Sequence, residues 1–150
     1  MIVRLSADAR SAIRRHLAAL DAEDRYLRFG HHPGESALDD YVSDLDFGSS
    51  DLFGAIDEAG DLIGVVHVGR RGSSRELGMS VLQAARHQGL GAELLRRAIQ
   101  HAAEEGADRV VLQCVAENHA IIELAQRHGA HIEHDAGTVT AIIEPIAVAA

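Results

Sequence analysis

Between Arg86 and Gly91 the chain reads RHQGLG, with Gly89 and Gly91 separated by one residue. Glu76–Leu82 before it has the pattern of a strand, and Gly89–Glu105 after it that of a helix. Two glycines at such a junction let backbone approach a ligand with no side chain in the way. A helix starting there aims its unpaired N–H groups and positive dipole end at the same point, which suits a phosphate or pyrophosphate. The candidate donors are the N–H groups of His87, Gln88, Gly89, Leu90, Gly91 and Ala92. Arg86 stands either to touch a phosphate or to lie on the surface. Two common phosphate motifs do not fit. A dinucleotide fingerprint needs a small residue three positions after Gly91, where Leu94 stands, and an acidic one roughly 20 positions on, where Arg109 stands. A nucleotide P-loop needs a lysine, and all fourteen basic residues of this chain are arginine.

The elements that must position this loop change character along the chain. Ile2–Leu5 reads as a short strand. Ser6 or Asp8 can cap a helix whose apolar positions Ala9, Ile13, Leu17 and Leu20 recur at helical spacing. Asp21–Phe29 opens on a capping Asp, His31-His32-Pro33-Gly34 breaks the chain, and Glu35–Leu45 is a third helical stretch. Asp51–Ile56 and Leu62–Val68 form a hairpin around Asp57–Asp61, and Ser74–Leu82 follows a turn at Gly69–Ser73. From there strand and helix alternate. Leu90, Leu94, Ala98 and Ala102, with Leu95 and Ile99, make an apolar stripe. Val110–Leu112 with Cys114-Val115 reads as a strand buried on both faces. Ile121, Leu124, Ala125 and His128 face inward on the next helix, and Ala130–His134 with Thr138–Ile143 close the chain as an antiparallel pair. A hairpin half followed by a βαβ half predicts an α/β fold, a mixed sheet with helices on both faces.

Composition bounds the class. A length of 150 residues suits a single domain spanning 1–150. No apolar run approaches the roughly 18 residues of a membrane span, and no charged-then-apolar leader opens the chain. With one cysteine, Cys114, a disulfide framework is excluded and a cytoplasmic location is expected. Aromatics are 3% of the chain, so Leu, Ile, Val and Ala supply the core. The formal charge of −9 argues against nucleic acid, which needs clustered Lys or Arg. It either suits a cationic amine substrate or only keeps the protein soluble.

Taken together, ELGMSVLQAARHQGLGAELLRRAIQHAAEEGADRVVLQCVAENHAIIELAQRHGA resembles the cofactor-binding half of the GNAT superfamily of acyl-CoA-dependent N-acyltransferases. The matching residues are Arg86, Gly89 and Gly91 in the loop, Asn118 and Ala120–Ile121 at the next helix start, and Gly129 at its end. The order and spacing hold over most of Leu62 to Ile143. The resemblance implies a mixed six- or seven-stranded sheet with a splayed parallel strand pair, acetyl-CoA as co-substrate, and an amine as acceptor. Strands that splay leave backbone groups unpaired, and a pantetheine arm, built of amides, can pair with them. The main-chain groups of Met79 and Val81 are expected to do so, and Asn118 to reach the arm besides capping its helix. Glu76, where many relatives carry a carboxylate, is the expected base, acting through a water. Its other reading is an exposed strand residue. His67 is the alternative base, although a satisfied structural histidine is its simpler reading. The oxyanion is expected at a backbone N–H near Val81.

The chain departs from these relatives where many carry a tyrosine as acid for the departing thiolate. That position is Ala125, and Ala130 replaces the usual Phe after Gly129. The thiol then leaves unaided, or the domain binds acyl-CoA and transfers nothing. LDAEDRYLRF, RELGMSV and NHAIIELAQRHGA show a looser similarity to bacterial Pat-type protein-lysine acetyltransferase domains, which implies a protein lysine as acceptor beside a small-molecule amine. A homodimer is possible. His128, His131 and His134 at intervals of three do not read as a metal site, because a helix end, a turn and a strand would carry them. Cys114 reads as a buried structural thiol. Arg25, Arg28, His31 and His32 read as a solvated helix face, with the acceptor cleft as the alternative.

Overall fold

The computed structural model describes residues 1–145, so the last five of the expected 1–150 domain lie outside the described residues. The strands are β1 (Ile2–Leu5), β2 (Ser50–Ile56), β3 (Leu62–Arg71), β4 (Ser74–Val81), β5 (Arg109–Val115), β6 (His131–Asp135) and β7 (Thr138–Ile143). They form one seven-stranded sheet in the order β1-β2-β3-β4-β5-β7-β6. The β4–β5 pair is parallel and the others are antiparallel. This is the mixed sheet that the hairpin-then-βαβ order requires, because a parallel neighbour needs a long crossover and α4 (Leu90–Glu104) supplies it.

Helices cover both faces. On one face Val66, Val68, Leu77, Val110, Leu112 and Ile143 pack under α4 and α5 (His119–Arg127). On the other, α1 (Arg10–Ala19) and α3 (Glu35–Ser43) pack Ile13, Leu17, Leu38 and Val42 over Leu52 and Val65. Leu94, Leu95, Ala98 and Ile99 of α4 are all fully buried, the two leucines and the isoleucine each stabilising by about 1.5–3 kcal/mol, so α4 is a fixed wall. By contrast α2 (Ala22–Phe29) buries no residue completely. Polar contacts hold it, together with Phe29, which packs half-buried against the α1 and α3 core.

Three local expectations change. Neither Ser6 nor Asp8 caps α1 with its side chain; a 3-10 turn, Ala7–Ala9, leads into the helix. The third helix ends at Ser43, not Leu45. β5 is fully buried on one face only: Val110 and Leu112 are inaccessible, Val111 and Cys114 are half-buried, and Gln113 is exposed. The reason is that α1 and α3 pack over β1–β3, and no β5 residue belongs to their core.

Candidate functional site

The last β4–β5 pair is Leu77↔Leu112, and beyond it the two strands have no partner in each other. β5 stays paired with β7 as far as Val115↔Thr138 and β4 with β3 as far as Val81↔Gly64, so each strand keeps its outer neighbour while the two part from each other. The Leu82 amide donates to the Ile63 carbonyl at 2.9 Å. Alternation along β4 then turns the Ser80 and Gly78 main-chain groups toward β3, and those of Met79 and Val81 toward the gap. A cavity of about 370 Å³ occupies this gap. Every cofactor-loop residue expected from the sequence lines it except Gln88, together with Met79, Val81 and Asn118.

The loop has the conformation that its glycines permit. Gly89 is the residue before α4 and sits at φ 77°, a left-handed geometry that a side chain strains. His87, at φ 64°, takes the same region without being glycine. None of the N–H groups from His87 to Ala92 finds a partner among the described residues. Six unpartnered donors therefore cluster at the positive end of a 15-residue helix, and the residues of five of them, all but Gln88, line one end of the cavity. This is a cradle for an anion with several oxygens.

Across the gap, α2 joins the two banks. Asp24 accepts from Arg86 at 2.9 Å on the β4 side. Tyr26 donates to Glu117 at 3.0 Å on the β5 side, and the Asn118 amide donates to the Leu27 carbonyl at 3.5 Å. Asn118 also caps α5 by accepting from the Ile121 amide at 3.3 Å. Arg86 is held more firmly than a surface residue, because it also donates twice to the Val81 carbonyl, at 3.2 and 3.1 Å. That fixes the plane of the peptide whose N–H belongs to Leu82 and steadies the end of β4.

On the α2 side of β4, Arg28 lies directly over Gly78, and a Cβ there would overlap its guanidinium. Arg28 donates to the Tyr41 hydroxyl at 2.9 Å, and that hydroxyl lies 2.8 Å from His67 Nδ1. Since the hydroxyl accepts from Arg28, its own proton goes to His67. Burial first and the Arg28 charge second push the His67 pKa down to about 4, so the ring is neutral at pH 7. His67 lies outside the cavity lining, but Arg28 is part of it. The helix-face reading of Arg28 is thus corrected. His31 and His32 stay exposed, and Arg25 turns back onto the carbonyls of Leu20 and Ala18.

Glu76 is not brought to the cavity. It sits at the paired end of β4, opposite Val111 and Gly69, half-exposed and 3.2 Å from Arg71. It lies three residue steps before Met79, about 10 Å along the chain. Ser80 is brought there, with His16 buried behind it, and the sequence reading passed over both. Ser80 lines the cavity and lies 2.8 Å from His16 Nε2. The signal was a histidine on the apolar stripe of α1, between Ile13 and Leu20. Ala125 is fully buried and offers no hydroxyl.

The histidine triplet does not converge: His128 bonds the Leu124 carbonyl of its own helix, and His131 faces Glu133. Asp51, His101 and Glu105 do cluster, with ligand atoms within 4.8 Å. Arg4 and Arg70 bind Asp51, and Arg75 binds Glu105, so guanidinium groups already neutralise that cluster. No helix among the described residues is long and apolar enough to cross a membrane.

Comparison with known proteins gives a family match. The model of the acetyltransferase (GNAT) family matches residues 16–130. No curated protein matches the chain. Among solved structures, the GNAT domain of PAT from S. lividans shares a TM-score of 0.81 at 18% identity, over 95% of this chain and 89% of that one. The spermidine N-acetyltransferase SpeG chimera from Vibrio cholerae and hSSAT gives 0.73 at 17%, over 99% and 98%. A phosphinothricin acetyltransferase from Sinorhizobium meliloti, solved with AcCoA, gives 0.71 at 18%, over 95% and 85%. At these identities the likeness is one of fold.

Proposed function

This chain belongs to the acetyltransferase (GNAT) family, and on that premise we propose that it transfers the acetyl group of acetyl-CoA directly to a primary amine. One observation carries the reading: five residues with unpartnered N–H groups at the start of α4 line one end of a cavity opened by the parting of β4 and β5. Acetyl-CoA has an anion of matching size, its pyrophosphate, followed by an arm of amides. The loop donors suit the first. The gap-facing groups of Met79 and the N–H of Val81 suit the second, with Asn118 across the gap. Arg86 serves this site by bracing β4 and pairing with Asp24.

Acyl transfer needs a free amine, a donor for the developing oxyanion and a way for sulfur to leave. The Val81 N–H is the donor this reading assigns. A thiol of pKa about 8.5 is a fair leaving group. Glu76 serves as base only through water, because Arg71 engages it away from the cavity.

The acceptor is a protein lysine or a small-molecule amine. Arg28, Arg86 and Arg127 line the cavity, against one carboxylate, Asp24. The overall acidity of the chain is therefore not expressed at the site, which disfavours a polyamine despite the spermidine N-acetyltransferase among the fold neighbours. A second reading, a silent acyl-CoA-binding domain, is favoured by Ala125, where many relatives carry the acid. Titration calorimetry with acetyl-CoA tests the shared premise, and absence of binding removes both readings. Release of free thiol from acetyl-CoA across a panel of amines then separates them. A transferase releases thiol with some amine; a silent domain binds and releases none.

A further inference from the structure

We infer that Ser80 and His16 form the proton route of the transfer, with Ser80 touching the acceptor amine and His16 acting behind it as a positioning residue and proton reservoir. The inference rests on the acyl-transfer reading above.

Ser80 stands between Met79 and Val81, whose main-chain groups face the gap, and its side chain points to the α2 side of the sheet, opposite Met79. It lines the cavity. Its hydroxyl lies 2.8 Å from His16 Nε2, and His16 Nδ1 lies 2.9 Å from the Leu62 carbonyl. A carbonyl only accepts, so Nδ1 carries the hydrogen. In a neutral ring Nε2 then holds a lone pair, and it accepts from the Ser80 hydroxyl. Hydroxyl, imidazole and a fixed third group in line is the arrangement that activates a hydroxyl.

The ring is held in the state this requires. His16 is 2% exposed. Burial first and the Arg28 charge later lower its pKa, against the Leu62 hydrogen bond, which raises it. The groups around it are the Leu62 carbonyl from β3, Ser80 from β4 and the Arg28 cation from α2. A neutral base thus waits behind a serine at the reacting position.

The step balances. The free amine attacks the thioester carbonyl carbon and forms a C–N bond. Its nitrogen passes a proton to Ser80 Oγ, while the Ser80 proton moves to His16 Nε2. The C–S bond breaks and its electron pair leaves on sulfur. The imidazolium then returns its proton through Ser80 to the thiolate, giving amide and free thiol. This route supplies the acid that Ala125 cannot.

The test uses acetyl-CoA with two probes, Nα-acetyl-lysine amide and hydroxylamine. Hydroxylamine is largely unprotonated at neutral pH and needs little help from a base. Ser80→Ala should lower kcat for the lysine probe on the order of 10²-fold, with KM for acetyl-CoA unchanged and a much smaller loss with hydroxylamine. Ser80→Thr, which keeps the hydroxyl, should recover part of the rate. The acid limb of kcat against pH should vanish in Ser80→Ala. His16→Gln disturbs a buried site, so the serine variants carry the kinetic test. Independently of turnover, nitrogen NMR should show His16 as the Nδ1–H form, with an Nε2 signal that moves in Ser80→Ala. Equal losses with both probes, an undiminished Ser80→Ala rate, or an acetyl ester trapped on Ser80 each overturn the route. An enzyme that binds acetyl-CoA but releases thiol to neither probe overturns the transfer reading itself, and the route with it.

Discussion

At the scale of single residues the cavity is governed by where charge is allowed. Arg28 keeps two neighbouring imidazoles, His16 and His67, short of protons, in both cases after burial has done most of the work. This has a sign for stability. The unfolded chain binds a proton at His67 near the ordinary 6.5, whereas the folded chain binds it only near 4. Between those values the unfolded state holds more protons, so stability falls as pH drops through that window and is fully present above it. Urea unfolding of His67→Gln at several pH values should show a shallower decline over that window than the parent protein. Gly78 gives a second test. Its backbone accepts alanine, but the new Cβ must push the flexible end of Arg28 aside. Gly78→Ala should leave acetyl-CoA affinity within about twofold and change stability by less than about 1 kcal/mol. On the acyl-transfer reading its KM for the amine should rise several-fold, because Arg28 lines the cavity next to Ser80. Steady-state kinetics with both substrates varied measures this.

At the scale of elements, the loop and the helix it starts are one unit. Gly89 at φ 77° turns the chain so that the first residues of α4 line the cavity. Gly89→Ala should cost about 1 kcal/mol of folding stability, the strain of a side chain in the left-handed region. It should weaken acetyl-CoA binding by more than that strain alone accounts for, since the donors move with the turn. Thermal unfolding and calorimetry on the same sample separate the two effects. This unit was legible in the sequence because Gly89, Gly91 and the apolar stripe of α4 are local signals. α2 was less so. Its capping Asp21 was readable, and the Asp24 amide does donate to it at 2.8 Å. Its role as a bridge from Arg86 to Glu117 was not, because those partners lie far away along the chain.

At the scale of the whole molecule, the cavity lies at one end of α4 and an ion network at the other. Fifteen residues of helix separate them by about 22 Å. Within that network Asp51 is completely buried and accepts from His101 at 2.9 Å. Burial pushes its pKa up, but the His101 hydrogen bond and the charges of His101, Arg4 and Arg70 outweigh it and leave the carboxyl below its ordinary value. Its contribution is therefore present above the ordinary carboxylate value and is lost as pH falls through the lower folded one. Asp51→Ala leaves buried His101 without its 2.9 Å partner, while the partly exposed Arg4 and Arg70 turn to water, and should destabilise by about 1–3 kcal/mol. Acetyl-CoA affinity of the folded fraction should stay unchanged. Chemical unfolding with a parallel binding titration checks both.

Sequence alone determined what depends on near neighbours: the order of strands and helices, the glycine turn of Gly89 and Gly91 that starts α4, the cap at Asn118, and a family resemblance that the family match bears out. Hydrophobic period and glycine placement act over a few residues, so they can be read in one dimension. Tertiary structure decided what depends on register and on docking. It put Glu76 at the closed end of β4, one residue short of the last parallel pair. It brought His16 across 64 residues of chain to Ser80, and it laid Arg28 over Gly78. Polar contacts of that span carry no periodic trace, because only the packing of α1 and α2 against the parting strands selects which side chains meet.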